Sequence, residues 1–131
     1  MYNFEFLDHL ADAKVRVIAD TIEEVFQGIS DAYVDLVCKK AMGFEIRTFD
    51  IPFQSDDQLI FDFVSELIYL TDSEQFVPSK VKVLKDNEML SFIIEGKRLL
   101  EYKTYVKAMT YHELKFEKKD NIFIVEFILD L

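Results

Sequence analysis

Tryptophan is missing from this chain, cysteine occurs once, proline twice and glycine three times. The lone Cys38 cannot close an internal disulfide, which fits a reducing compartment and excludes a disulfide-dense secreted scaffold. Gly28, Gly43 and Gly96 stand isolated, so no glycine-rich loop is available to cradle a phosphate, and an autonomous nucleotide-using enzyme is not expected. The same scarcity leaves no room for a flexible linker. Histidine appears only at His9 and His112, too few beside one cysteine for a structural zinc site. Basic residues are a minority, 15 Lys+Arg against 25 Asp+Glu, for a net charge of -10. Such a surface repels phosphate backbones, so direct high-affinity nucleic-acid binding is not expected, while a basic protein partner or metal cations are favoured. No run approaches the roughly 18 apolar residues of a membrane span. The opening residues, Met1 to Phe6, have neither the basic region nor the apolar stretch of a signal peptide. A soluble cytoplasmic protein without a membrane partner is the expectation.

What is present suits one domain over residues 1–131, since half of the residues are hydrophobic and can build a single core. Apolar residues at Ile22, Val25, Phe26, Ile29, Tyr33, Leu36 and Val37 follow a helical period, opened by Thr21-Ile-Glu-Glu24 in the form of a capping box. A second helix starts the same way at Ser55-Asp-Asp-Gln58 and carries Leu59, Ile60, Phe63, Val64, Leu67 and Ile68 to a stop near Thr71-Asp72. Acidic first turns complement the positive helix ends. Elsewhere the period is two: around Val15 and Val17, Val81 and Val83, then Val106, Ala108 and Thr110. The last strand has Phe123, Val125, Phe127 and Leu129 on one face and Ile124, Glu126 and Ile128 on the other. Turn signals separate strands at Lys85–Glu88 and Lys118–Asn121. The order strand, helix, strand, helix, then several strands predicts an α+β domain, two helices packed on a largely antiparallel β-sheet.

Three places carry ionisable chemistry: the segment 7–12 with His9 and Asp12, the segment 107–112 with Lys107, Tyr111 and His112, and the end with Asp130 and Leu131. An apolar strand up to Leu129 orders the chain end, so Asp130 and the Leu131 carboxylate hold fixed positions. Adjacent ordered carboxylates repel and call for a cation or a proton. If Asp12 meets them, the oxygen donors suit Ca²⁺, Mg²⁺ or Mn²⁺ rather than Zn²⁺. His9, His112 and Lys107 could line the same surface, and a histidine pair could do general acid–base work. No nucleophile accompanies them: Ser30, Ser55, Ser65, Ser73, Ser79 and Ser91 fall in helices, caps, turns or strands, none in a strained elbow. Glu23, Glu24, Asp31 and Asp35 read as the solvated side of the first helix, or as a docking face for a basic partner.

The segments FLDHLAD (6–12), DTIEEVF (20–26), SELIYLTDSEQF (65–76), VKAMTYHEL (106–114) and the closing LDL resemble the archease family. The likeness runs along the whole chain outside residues 39–52 and 77–100. It implies a small accessory protein, not an enzyme, that activates the GTP-dependent RNA-splicing ligase of tRNA maturation, speeding guanylylation of the ligase's active-site histidine and supporting multiple turnover. It also implies a divalent-metal site, in the family often a calcium site, at the positions of Asp12, Asp130 and Leu131, with His9, Lys107, Tyr111 and His112 around that end. The chain departs from the family pattern at Leu10, where threonine is usual, and at Lys14 and Ala19, where glycine is usual; Lys14 is expected to compete electrostatically with a cation. Two other readings are a general chaperone or modulator of RNA-modifying enzymes, and a small metal-dependent hydrolase with His112 as base.

Overall fold

The computed structural model describes residues 1–7 and 12–131, and His9 and Leu10 lie outside the described residues. Helix α1 spans Ile22–Val37, and its N-cap Thr21 accepts the Glu24 N–H at 3.1 Å. The capping box is half closed: Glu24 turns outward, accepting from the Thr21 hydroxyl at 3.3 Å and from the Met1 amino group at 2.7 Å. Helix α2, Asp56–Glu74, opens on Ser55, whose Oγ accepts the Gln58 N–H at 3.1 Å. It runs past the expected stop near Thr71-Asp72. Gln75 ends it in the left-handed conformation (φ 56), returning its N–H to the Leu70 and Thr71 carbonyls.

Among the described residues, seven strands form two antiparallel sheets. The first has the order β1 (Tyr2–Leu7), β2 (Asp12–Ala19), β7 (Ile122–Asp130), β6 (Ala108–Lys119). The second has the order β3 (Cys38–Pro52), β5 (Met89–Tyr102), β4 (Phe76–Asp86). The α+β expectation holds, with the refinement that both helices pack against both sheets: α1 contacts β1, β2 and β4, and α2 contacts β6, β3 and β4. The cause is the number of apolar faces. Val15, Val17, Val125, Phe127 and Leu129 present one buried face, and Val81, Phe92 and Ile94 present another. Two helices with wide apolar stripes can cover both. Phe26 and Phe63, one from each helix, meet at 4.7 Å and both lie 4.9 Å from Phe92. Each such ring removed from water stabilises the fold by about 1.5–3 kcal/mol.

Strand β3 begins where α1 ends, without a loop. Cys38 is the helix C-cap in extended conformation (φ -102, ψ 121), its N–H donating to Val34 O. The two anticipated turns are two-residue hairpin loops, Asn87-Glu88 with Asn87 at φ 56 and Asp120-Asn121 at φ 53 and 63. Paired positive φ angles are those of a type I′ turn, which Asp and Asn tolerate. The acidic residues of α1 do more than solvate it. Glu23 accepts the Val83 N–H at 3.2 Å, and Asp31 accepts the Tyr2 hydroxyl at 2.6 Å.

Candidate functional site at a paired strand end

Strand register decides what meets at the chain end. β2 and β7 pair so that Val15 faces Phe127 and Val17 faces Val125, all on the buried side. Side chains alternate along a strand, so the same register sets Asp12 directly opposite Asp130 on the outward side. Asp130 in turn faces Ala108 of β6, and its carbonyl accepts the Lys107 N–H at 2.8 Å. Asp12, Asp130 and Lys107 thus share one end of the first sheet, with Leu131 one residue on.

The 107–112 segment is not the regular strand its alternation suggests. Thr110 pairs with Ile128 and Lys115 with Glu126, so Tyr111 to Leu114 stand opposite Phe127 alone. This wide bulge turns on Glu113, which has φ 56, a left-handed conformation uncommon for such a residue. The His112 N–H donates to Thr110 Oγ1 at 3.1 Å and steadies it. Tyr111 leaves the strand and stacks on Phe61 of α2, centroids 3.8 Å apart and planes within 3°, while its hydroxyl donates to Gln58 Oε1 at 3.1 Å. The Gln58 amide donates to Asp62, so this side chain ties α2 to the bulge instead of completing a capping box. The His112 side chain is 75% exposed and its Nε2 lies 3.2 Å from Glu113 Oε2.

Lys14 is committed elsewhere than expected. Its Nζ lies 2.9 Å from Glu113 Oε1 and 3.8 Å from Glu126 Oε1. The Lys14–Glu113 contact crosses β7 at Ile128, which pairs with Lys14 on one side and Thr110 on the other, and Ile128 is buried although it faces away from the core. Beyond it, Glu126 accepts from Arg16 Nε at 2.8 Å, and Arg16 also donates to Glu5 at 2.9 Å. Glu126 first, then Glu5, hold the Arg16 guanidinium above its ordinary pKa. Glu113 thus accepts from the Lys14 ammonium, and Glu126 adds a second, longer ion pair.

Sequence reasoning named Asp12, Asp130 and Lys107, and the structure places these together. Tyr111 goes to α2, His112 stays on the exposed bulge, and His9 falls outside the described residues. Glu113, Glu126, Phe61 and Gln58 were missed. The alternation of β7 puts Glu126 on the outward face, but nothing in the sequence shows that it is buried there beside Arg16 and Lys14. Chemically, the end offers hard oxygen donors and a general cation-attracting potential. The described residues contain no cluster of three or more His, Cys, Asp or Glu side chains able to hold a metal. What the register does bring together is the pair Asp12 and Asp130, with Leu131 one residue on.

Fold and site define a small α+β protein with an acidic strand end and a tethered bulge. The Archease protein family (MTH1598/TM1083) matches residues 4–131. The chain is 32% identical to protein archease of Sulfurisphaera tokodaii, with the whole of both chains covered, and 31% identical to that of Pyrococcus furiosus, with 90% of each covered. Among solved structures, Methanobacterium thermoautotrophicum protein 1598 matches at a TM-score of 0.76 and 26% identity over 98% of each chain. An archease of Thermotoga maritima, described as a possible chaperone, shares the fold at a TM-score of 0.72 and 21% identity over 95% and 94%. The chain belongs to the archease family.

Proposed function

We propose that this protein is a non-enzymatic activator of the GTP-dependent RNA-splicing ligase, acting in the cytoplasm in tRNA splicing. It promotes guanylylation of the ligase's active-site histidine and so allows multiple turnover. The observation that carries this reading is the register pairing of Asp12 with Asp130, which brings half-buried carboxylates from two distant segments to one end of the first sheet. Asp12, Asp130 and Leu131 would hold a divalent cation, Ca²⁺ in the first instance, with Mg²⁺ or Mn²⁺ as alternatives. When bound, such an ion supplies positive charge beside phosphate oxygens. The chain's own residues present the acidic end to the ligase: Lys107 braces it through the Asp130 carbonyl, Glu113 and Glu126 hold Lys14 away from it, and the Tyr111–Phe61 stack fixes the bulge alongside.

The test is ligation by substoichiometric ligase with GTP and divalent metal, with and without this protein. Stimulation to multiple turnover is expected, and Asp130→Asn should abolish it while the melting temperature stays within a few degrees of wild type. Stimulation that survives Asp130→Asn intact would rule out the acidic end as the working part. A second reading, a general chaperone, is favoured by Met42, Phe44 and Ile46, all at least half exposed on β3, and by the description of the Thermotoga relative. It predicts suppressed aggregation of unrelated clients, independent of Asp130.

A further inference from the structure

The second sheet carries a feature the ligase reading does not use. α2 runs beside β3 in the opposite sense: Arg47 of β3 donates to Glu74 at the helix end, at 2.6 Å. Further along, Asp62 to Tyr69 flank Phe49 to Pro52 across an open groove of 430 Å³. Phe49, Ile51 and Pro52 line it together with Asp50, Asp62, Glu66 and Tyr69, which is 58% exposed. No cationic side chain among the described residues lines it. Among the described residues, β3 has β5 as its one sheet neighbour, so the strand beside the groove is an edge. Phe44 and Ile46 continue that edge as exposed apolar residues.

The chain itself shows what such a trough accepts. Arg47 lies between the same two elements, with Nε on Glu74, a terminal nitrogen 2.9 Å from Glu45, and its guanidinium 5.1 Å from the Phe76 ring centroid. The groove repeats the ingredients of that seat, carboxylates from α2 and β3 with an aromatic ring, without a cation among the described residues. Burial first, and Glu74 second, push the Glu66 carboxyl above its ordinary pKa. A charge held this way gains from an incoming counter-ion.

We propose that the β3–α2 groove docks an arginine-bearing extended segment of a protein partner, laid along the edge of β3 with its guanidinium among Asp50, Asp62 and Glu66 and against Tyr69. A planar guanidinium can grip a carboxylate through two parallel N–H bonds while lying flat on a ring, a geometry that a lysine ammonium, as a compact point charge, lacks. An extended segment suits an exposed sheet edge. The net charge of -10 opposes a second copy of this chain as occupant and repels nucleic acid. The Asp12–Asp130 end belongs to the other sheet, so this proposal stands or fails independently of ligase activation.

The test is an amide-resonance titration with a blocked Thr-Arg-Val-Arg-Thr peptide and its twin carrying citrulline, the uncharged isostere, at both arginines. The arginine peptide should shift Thr48 to Ile51 and Asp62 to Tyr69, and the citrulline peptide should bind at least about tenfold more weakly. Glu66→Gln, Asp62→Asn and Tyr69→Ala should each weaken binding about fivefold with the melting temperature unchanged. Several results would overturn the proposal: no shift at millimolar peptide, equal affinity for both peptides, or shifts centred on the Asp12–Asp130 end. So would groove shifts produced by Ca²⁺ alone, or groove resonances that depend on protein concentration without peptide, which would make it a cation site or a self-interface.

Discussion

Replacing Gly96 with alanine tests how the second sheet closes over the core. Gly96 sits in the central strand β5, opposite Glu45 of β3 and Pro78 of β4, and both neighbouring pairings shift register at that point. A Cβ built there overlaps the Val77 carbonyl oxygen and the Phe76 Cζ, and stands 2.5 Å from the Phe76 Cε1. Neither neighbour can yield cheaply, because Phe76 is fully buried beneath Arg47 and Val77 is buried in β4. Overpacking of this kind costs about 1–3 kcal/mol, and removing a strand glycine returns about 0.5–1 kcal/mol. A net loss of about 2 kcal/mol follows from the upper part of that range, since one of the overlapping atoms is backbone. At about 2.1 cal/mol/K per residue, a chain of this length has an unfolding entropy of about 0.28 kcal/mol/K, so the melting temperature should fall by about 7 °C. Gly28→Ala is the internal control. Its Cβ meets Val17 Cγ1 at 2.6 Å, but the helix interior gains about 1 kcal/mol from alanine, so the drop should be less than half as large. Thermal and urea midpoints at neutral pH decide it. A Gly96→Ala variant melting within about 2 °C of wild type, or one more stable than Gly28→Ala, would refute the close approach of β4.

Three further changes probe other parts of the molecule. Thr71→Val should cost about 1–3 kcal/mol in urea unfolding, because the buried Thr71 hydroxyl accepts from Tyr33 at 2.7 Å and lies 2.9 and 2.8 Å from the Leu67 and Phe76 carbonyls, so buried polar groups lose their partner. Gln75→Gly should raise the melting temperature by a few degrees, since Gln75 holds a left-handed cap that glycine adopts without the roughly 1 kcal/mol steric cost; a lower melting temperature would count against that strain. The Tyr2 hydroxyl, hydrogen-bonded to Asp31, is pushed up to about 12 from 10.0. A raised folded-state value means that its contribution is complete below pH 10 and is lost as the pH climbs toward 12. The stability gap between wild type and Tyr2→Phe should therefore be constant near neutrality and shrink above pH 10, and a gap that widens there would contradict the Tyr2–Asp31 bond.

Local order was written plainly in the sequence. Thr21 and Ser55 mark the helix starts because a hydroxyl three residues before a free amide can cap it, whatever the rest of the chain does. The alternation from Phe123 to Leu129 shows which side chains of β7 turn inward, and Asp120-Asn121 suits a tight turn. The scarcity of glycine, cysteine and basic residues argued against whole classes of chemistry before any contact was known. Less visible were β3, which leaves α1 with no glycine or proline to announce the change, and the division of the strands into two sheets.

The site was legible in its residues and hidden in its geometry. That Asp12 lies opposite Asp130 depends on β2 and β7, from opposite ends of the chain, pairing in the register that buries Val15 and Val17 with Phe127 and Val125. A slip of one residue would turn those apolar side chains to water, so burial of the core sets the position of the acids. The bulge that sends Tyr111 to Phe61 and Glu113 over β7 to Lys14 is likewise a tertiary decision. Its left-handed Glu113 is tied to Lys14 of β2, and its exposed histidine to Thr110 and Glu113 of the same strand. Periodicity alone determined which faces are apolar; which faces meet, and therefore which charges stand together, was settled only when both sheets closed on the same two helices.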